Sequence, residues 1–149
     1  MYLTIRAIVL RVTDYNDHDA LLTVLTQNYG KLTIKARGLR RKNSPLIAPC
    51  QLLAFGEFTL FEYKGKYTIN EAHALELFQG LRRELTQLSL GSYFAQVAEL
   101  ISQEDMPNPE LQALLLNCLY ALSALHLPET MVKAVFELRA ACLAGYTPE

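Results

Sequence analysis

The chain has 149 residues, 51% of them hydrophobic and 19% charged, with a formal net charge of −1. This length allows one ordinary domain or two small ones, and the apolar content is enough for a packed core, which excludes a disordered chain. The near-neutral total predicts no nucleic-acid affinity, but residues 1–70 carry ten Lys and Arg against five Asp and Glu, and residues 71–149 carry four against ten, so a basic module joined to an acidic one is expected.

Leu3 to Val12 is rich in Ile, Val and Leu and predicts a strand. Leu3, Ile5, Ala7 and Val9 share one face and Ile8, Leu10 and Val12 the other, a pattern suited to a long, bent strand shared between two sides of a small barrel. Asp14-Tyr15-Asn16-Asp17-His18-Asp19 is turn chemistry, with short polar side chains that bond their own backbone. Ala20 to Thr26 predicts a second strand entering a hairpin at Asn28-Tyr29-Gly30.

Lys31 to Arg37 is its antiparallel partner. Period-two alternation puts Leu32, Ile34 and Ala36 on one face and Lys31, Thr33, Lys35 and Arg37 on the other. Gly38 ends the pattern, and Arg40, Arg41 and Lys42 follow in a basic loop running through Ser44-Pro45 to Pro49. Six of the chain's fourteen Lys and Arg residues fall in this segment. Leu52 to Glu62 predicts a fourth strand, with Gly56 a candidate bulge. Lys64-Gly65-Lys66 is a tight basic turn, and Tyr67 to about Leu77 is a fifth strand. Five strands joined by hairpins and one long basic loop fit a Greek-key barrel of the OB type.

After Gly80 the period changes from two to 3.6. Leu90, Phe94, Val97 and Ile101 recur at helical spacing, with Leu88, Ala95 and Ala98 widening the stripe. Asn108-Pro109-Glu110 predicts a second helix start. Leu111, Leu115, Cys118, Leu122 and Leu125 lie on one face, and Leu114, Leu116 and Leu119 make this helix apolar nearly all round, so it is expected to be the buried member of the bundle. Pro128 opens a third helix with Val132, Val135, Phe136 and Leu143 facing inward. Gly145 is placed for a left-handed cap, with Tyr146 folding back on the last turn and Pro148 barring continuation. The expected architecture is α+β: a five-stranded OB-type barrel over residues 1–80, then an all-α three-helix domain over 81–149.

Lys31, Lys35, Arg37, Arg40, Arg41 and Lys42, joined by Lys64 and Lys66, are the candidate residues for a nucleic-acid phosphate backbone. A row of cations tracking a phosphate backbone binds by counterion release, with steep salt dependence and little sequence preference; the alternative is a solvated strand face. Tyr29, Tyr63 and Tyr67 sit at hairpin ends beside these cations, where they either stack on unpaired bases or plug the mouth of the barrel. Tyr15 and Phe61 come second to them. Arg82, Arg83, Lys133 and Arg139 are the few cations of the acidic half, either receiving an acidic peptide in a groove between helices or standing solvated.

Asp14, Asp17, Asp19 and His18 match neither a calcium loop nor a helical zinc motif and predict a turn. His73 and His126 have no nucleophile or carboxylate at an interpretable spacing, and no glycine-rich phosphate loop or catalytic carboxylate pair is present, so nothing argues for an enzyme. Cys50, Cys118 and Cys142 are far apart and odd in number; the expectation is reduced cysteines acting as small apolar residues. Arg6 and Arg11 interrupt the N-terminal apolar run, and no apolar stretch approaches the roughly 18 residues of a membrane span, so a reducing cytoplasm is the default.

Arg6-Ala7-Ile8-Val9-Leu10-Arg11, the run from Asp19 to Thr26, Tyr29-Gly30-Lys31-Leu32 and Ala36-Arg37-Gly38, followed by Phe78-Gln79-Gly80-Leu81-Arg82, Phe136-Glu137-Leu138-Arg139 and Gly145-Tyr146, together resemble the RecO family of bacterial recombination mediators. No single motif is very specific; their order and spacing are. The resemblance implies an OB barrel and a helical domain, binding of single- and double-stranded DNA, annealing of complementary strands, and recombinase loading onto DNA coated by single-strand-binding protein. It further implies a nucleoid-associated protein whose contacts are a RecR-type mediator and the acidic tail of single-strand-binding protein. RecO proteins continue past this point, many with a four-cysteine zinc module, so the sequence resembles their N-terminal portion, and no zinc or other cofactor is expected in it. The rival expectations are an RNA-binding OB module and a protein-interaction module whose cations meet an acidic partner.

Overall fold

Tyr2–Asp14 forms β1, the strand around which the barrel closes in this computed structural model, which describes residues 1–145. It is followed by β2 (Ala20–Thr26), β3 (Lys31–Ala36), β4 (Phe55–Tyr63) and β5 (Lys66–Glu76), then a 3-10 turn at Gln79–Arg83 and helices α1 (Leu85–Ile101), α2 (Pro109–Ser123) and α3 (Glu129–Leu143). The strands close in the order β1-β2-β3-β5-β4. β1 pairs antiparallel with both β2 and β4, and β3 meets β5 in parallel at Ile34–Tyr67 and Lys35–Thr68. This is the five-stranded Greek-key barrel of the OB type, closed by the β3–β5 pairing.

The alternation in β3 is as the sequence predicts. Leu32, Ile34 and Ala36 are buried in the barrel core with Ile5, Val9, Val24 and Phe58. The segment after β3 has no regular structure, but Leu39 and Cys50 turn into the same core, so the basic loop is anchored from beneath. β4 begins at Phe55 rather than Leu52, because Leu53 adopts a positive φ of 69° and the residues around it cross to β1. There the Leu53 N–H donates to the Val9 carbonyl at 2.9 Å and the Val9 N–H donates to the Ala54 carbonyl at 3.0 Å. Gly56 is the expected irregularity: the register shifts beside it, and a Cβ there would lie 2.8 Å from the His73 carbonyl oxygen.

The second apolar face of β1 serves the helices instead of another side of the barrel. Ile8 and Leu10, with Leu25 and Leu53, are buried in one cluster with Phe94, Leu111, Leu115 and Phe136. A register shift between Val9 and Arg11 supplies the extra residue that turns Leu10 outward and returns Val12 to the barrel core. Gln112 strengthens this junction. Its amide nitrogen donates to the Leu25 carbonyl at 3.0 Å and the Arg6 carbonyl at 3.2 Å.

The buried face of α1 takes Phe94, Ala95 and Ala98 from the predicted stripe and adds Gln87 and Gly91, while Leu88, Leu90, Val97 and Ile101 pack half-buried at its edge. At Gly91 a Cβ would meet Leu53 Cδ1 at 2.9 Å and Leu119 Cδ2 at 3.2 Å, so the helix sits close to its neighbours there. Phe94 stacks on Phe136 at a centroid distance of 4.1 Å. α2 starts as predicted, with Pro109 in its first turn and Asn108 Oδ1 accepting from the Leu111 N–H. Leu125 and Val135, expected inward, are exposed: Leu125 follows the end of α2, and Val135 lies off the Val132-Phe136-Ala140 face. Gly145 has the expected positive φ, whereas Tyr146 and Pro148 lie outside the described residues. No helix among the described residues is long and apolar enough to cross a membrane.

Candidate nucleic-acid interface

The loop between β1 and β2 and the basic loop after β3 are stitched into one surface. Asn16 Oδ1 accepts the His18 and Asp19 N–H groups, and Asn16 Nδ2 donates to Asp19 Oδ2 at 2.9 Å. The other oxygen of Asp19 accepts the Gly38 N–H at 2.7 Å. The Arg40 N–H donates to the His18 carbonyl at 2.9 Å, and its guanidinium grips Asp14 Oδ1 through Nη2 at 2.7 Å and Nε at 3.1 Å. The acidic turn of the sequence is thus a turn whose carboxylates hold the basic loop in place. The Gly38 N–H, then Asn16, then the nearby Lys35 and Arg37 hold the Asp19 carboxyl below its ordinary range.

Beside this clasp runs a groove of about 820 Å³. Tyr15 from the first loop, Lys35 from β3 and Arg37 from the turn after it, Phe61 and Tyr63 from the end of β4, and Lys66 from β5 line it, with Tyr2 and Tyr67 also on its walls. In OB folds the face of strands β2 and β3 between the first and last hairpin loops is the oligonucleotide- and oligosaccharide-binding surface, and the groove occupies it. Lys35 Nζ lies over the Tyr15 ring at 4.8 Å and Lys64 Nζ over the Tyr63 ring at 5.4 Å, cation–π contacts that aim both ammonium groups along the groove side. The Tyr67 hydroxyl is pushed above its ordinary range by burial and by Glu62 and Asp105.

The predicted basic row therefore divides. Lys35, Arg37 and Lys66 line the groove, Lys64 flanks it, and Arg41 and Lys42 stand exposed on the loop behind the clasp. Lys31 points the other way: its ammonium donates to the Glu99 carbonyl at 3.0 Å and ties β3 to α1. Arg11 adds an ion pair to Glu99 Oε1 at 3.0 Å at the same junction. Of the tyrosines, Tyr63 and Tyr67 are in the groove, while Tyr29 borders a smaller cleft of about 180 Å³ beside Arg6 and Glu57.

The four cations of the acidic half are dispersed. Arg82 is half-buried and donates to the Leu77 and Leu52 carbonyls, with burial lowering its pKa, and Arg83 is exposed beside it. Lys133 lies 3.7 Å from Glu137 and over the Tyr93 ring. Arg139 edges a cleft of about 440 Å³ between α2 and α3, with Leu114, Leu143 and Glu110. Cys50 and Cys118 are buried, as expected of apolar thiols, but Cys142 is exposed at that cleft. Among the described residues no group of three or more His, Cys, Asp and Glu is placed to hold a metal ion.

Tyr2 was not visible as a candidate in the sequence. It reaches the groove because β1 pairs with β4, setting Tyr2 opposite Phe61 with ring centroids 5.4 Å apart. The only prior signal was an aromatic at each end of two strands, which names no partner.

The architecture and the groove define a class: an OB-type barrel whose ligand face carries cations and aromatic rings, with helices packed on its outer wall. The chain belongs to the RecO family, since residues 1–78 match the family model described as Recombination protein O N terminal and residues 82–149 the one described as Recombination protein O C terminal. It is 33% identical over 147 residues to the DNA repair protein RecO of Acetivibrio thermocellus, covering 99% of this chain and 59% of that protein. It is 35% identical over 144 residues to the DNA repair protein RecO of Heliobacterium modesticaldum, covering 97% and 52%, and 28% identical to that of Halalkalibacterium halodurans, covering 100% and 58%. The chain thus spans a little over half the length of these relatives.

Proposed function

We propose that the chain is a non-enzymatic DNA-binding portion of a DNA repair protein and that it grips DNA through the groove of Lys35, Arg37 and Lys66. One observation carries this reading: three cations, from β3, the turn after it and the last hairpin, converge on the OB ligand face, beside a basic loop fastened by Asp14 and Asp19. The relatives' designation as DNA repair proteins supports DNA as the polymer. A cationic groove holds phosphates without reading sequence, so strands can slide and exchange on it. That is the property required for annealing complementary strands and for handing single- or double-stranded DNA to a recombinase.

In this reading residues 1–80 are the DNA-binding unit and residues 81–149 the partner face, acting in the cytoplasm with the nucleoid. A RecR-type mediator and the acidic tail of single-strand-binding protein are its protein contacts. Arg139 is well placed among the four helical cations for an acidic peptide, because it edges an open cleft with apolar walls. No cofactor takes part.

Fluorescence anisotropy with a labelled single strand at low salt tests the DNA grip. Lys35→Ala/Arg37→Ala/Lys66→Ala is expected to weaken binding by at least about a hundredfold, on the order of 1 kcal/mol per phosphate contact or more. Lys133→Ala, on the far helix, is expected to leave it unchanged. Equal affinity for the triple variant and the parent protein rejects the assignment.

A further inference from the structure

Folding gives no reason for the rings that line the groove to be exposed together. Tyr2 and Tyr63 are each 63% exposed, Tyr15 is 56% exposed and Phe61 is 40% exposed, and all four lie on one concave surface. Scattered exposed aromatics are ordinary, but a contiguous patch of them rimmed by charge marks a binding surface. The cations explain an attraction for phosphate; they do not explain the rings.

We infer that Tyr2, Phe61 and Tyr63 form a stacking platform for unpaired bases, so that the groove selects single-stranded over duplex nucleic acid. This inference rests on the DNA-binding reading above and goes beyond it by naming what the aromatic wall does. Tyr2 and Phe61 are cross-strand neighbours inclined at 60°, which leaves ring face open to solvent instead of stacking the two faces together. Tyr63 stands at the adjoining hairpin with Lys64 over its ring, so its charge neighbour is already in place for a phosphate. Phe61 pairs with Thr68 of β5 and Thr68 with Lys35 of β3, so Lys35 lies across β5 from the rings, with Arg37 just past the end of β3. A strand lying in the groove turns its phosphates to these cations and its bases to the rings.

Every base has a π-face, so such stacking tolerates sequence, but a duplex keeps its bases stacked on one another and offers only phosphates. The cations therefore set affinity for either form, and the rings set the difference between them.

The test uses three probes of about sixteen nucleotides and equal charge per strand: an oligothymidylate, an abasic strand with the same phosphates, and a duplex. The parent chain is expected to bind the oligothymidylate at least about tenfold tighter than the abasic strand, and to show Tyr emission quenched only by the former. Since the chain has eight Tyr and no Trp, that emission is not masked. Tyr2→Leu/Phe61→Leu and, separately, Tyr63→Leu in its exposed turn are expected to shrink the gap while leaving abasic-strand binding unchanged; far-ultraviolet circular dichroism confirms that each remains folded. Equal binding of the oligothymidylate and the abasic strand overturns the platform and leaves the phosphate grip standing. A gap that persists in both variants overturns the assignment to these rings, and failure to bind any probe at low salt overturns both readings.

Discussion

Asp19 Oδ1 accepts the Gly38 backbone N–H at 2.7 Å, joining the loop that follows β1 to the one that follows β3. Gly38 holds a φ of 69°, and Arg41 packs its side-chain methylenes over it, so the basic loop turns sharply at the point where Asp19 fastens it. The contact is half-buried, and its main consequence is geometric: it fixes where the loop's cations stand beside the groove.

A pH dependence follows, because the Asp19 carboxyl is held below its ordinary value of 3.8, by the Gly38 N–H first and Asn16 second. The ionised form is favoured by folding, so its contribution is complete above about pH 4 and is lost as pH falls through the folded-state value. Asp19→Asn is expected to melt at a lower temperature than the parent at pH 6, with the gap level down to about pH 4 and narrowing below it. A gap constant across that range contradicts the role given to the charge.

The thiols give a second prediction. Burial pushes Cys50 up to about 12 and Cys118 up to about 11, whereas Cys142 is exposed on α3. Only a thiolate reacts quickly with a disulfide reagent. Titration of the native chain at pH 8 is therefore expected to modify Cys142 alone in the fast phase, and urea is expected to release the other two. Fast reaction of all three in the native state contradicts the packing of both cores.

Gln112 gives a third. Its amide satisfies the Leu25 and Arg6 carbonyls where α2 meets the outer wall of the barrel. Gln112→Leu keeps the bulk but removes both donors, and leaving buried acceptors unpaired costs about 1–3 kcal/mol. Urea unfolding measures this directly, and a change below about 0.5 kcal/mol places the junction's stability elsewhere.

Gln112 also marks the limit of what the sequence makes legible. The barrel is readable because β3 alternates cleanly: Leu32, Ile34 and Ala36 are apolar where Lys31, Lys35 and Arg37 are charged, and only one register buries that face. The double apolarity of β1 is equally visible, but a pattern does not say what covers it, and the cover of Ile8 and Leu10 is the helices. In α1, periodicity finds the helix and the Phe94, Ala95 and Ala98 part of its buried face, but not Gly91, because hydrophobicity does not register a close approach. At the candidate site, the cations are evident as a cluster while their sorting is not. Lys31 and Lys35 share a strand face, yet one reaches the Glu99 carbonyl and the other lies over Tyr15. That separation is set by what stands at each end of β3, which only closure of the barrel decides.

The central claim is that the groove grips phosphates, and the slope of binding against salt measures it most directly. For a single strand, log affinity falls with log salt by roughly 0.7 for each phosphate neutralised. The parent chain is expected to show a slope steeper than about −2, and Lys35→Ala/Arg37→Ala/Lys66→Ala a slope shallower by about 2, as three contacts are lost. A triple variant that binds single-stranded DNA with the parent's slope contradicts the account.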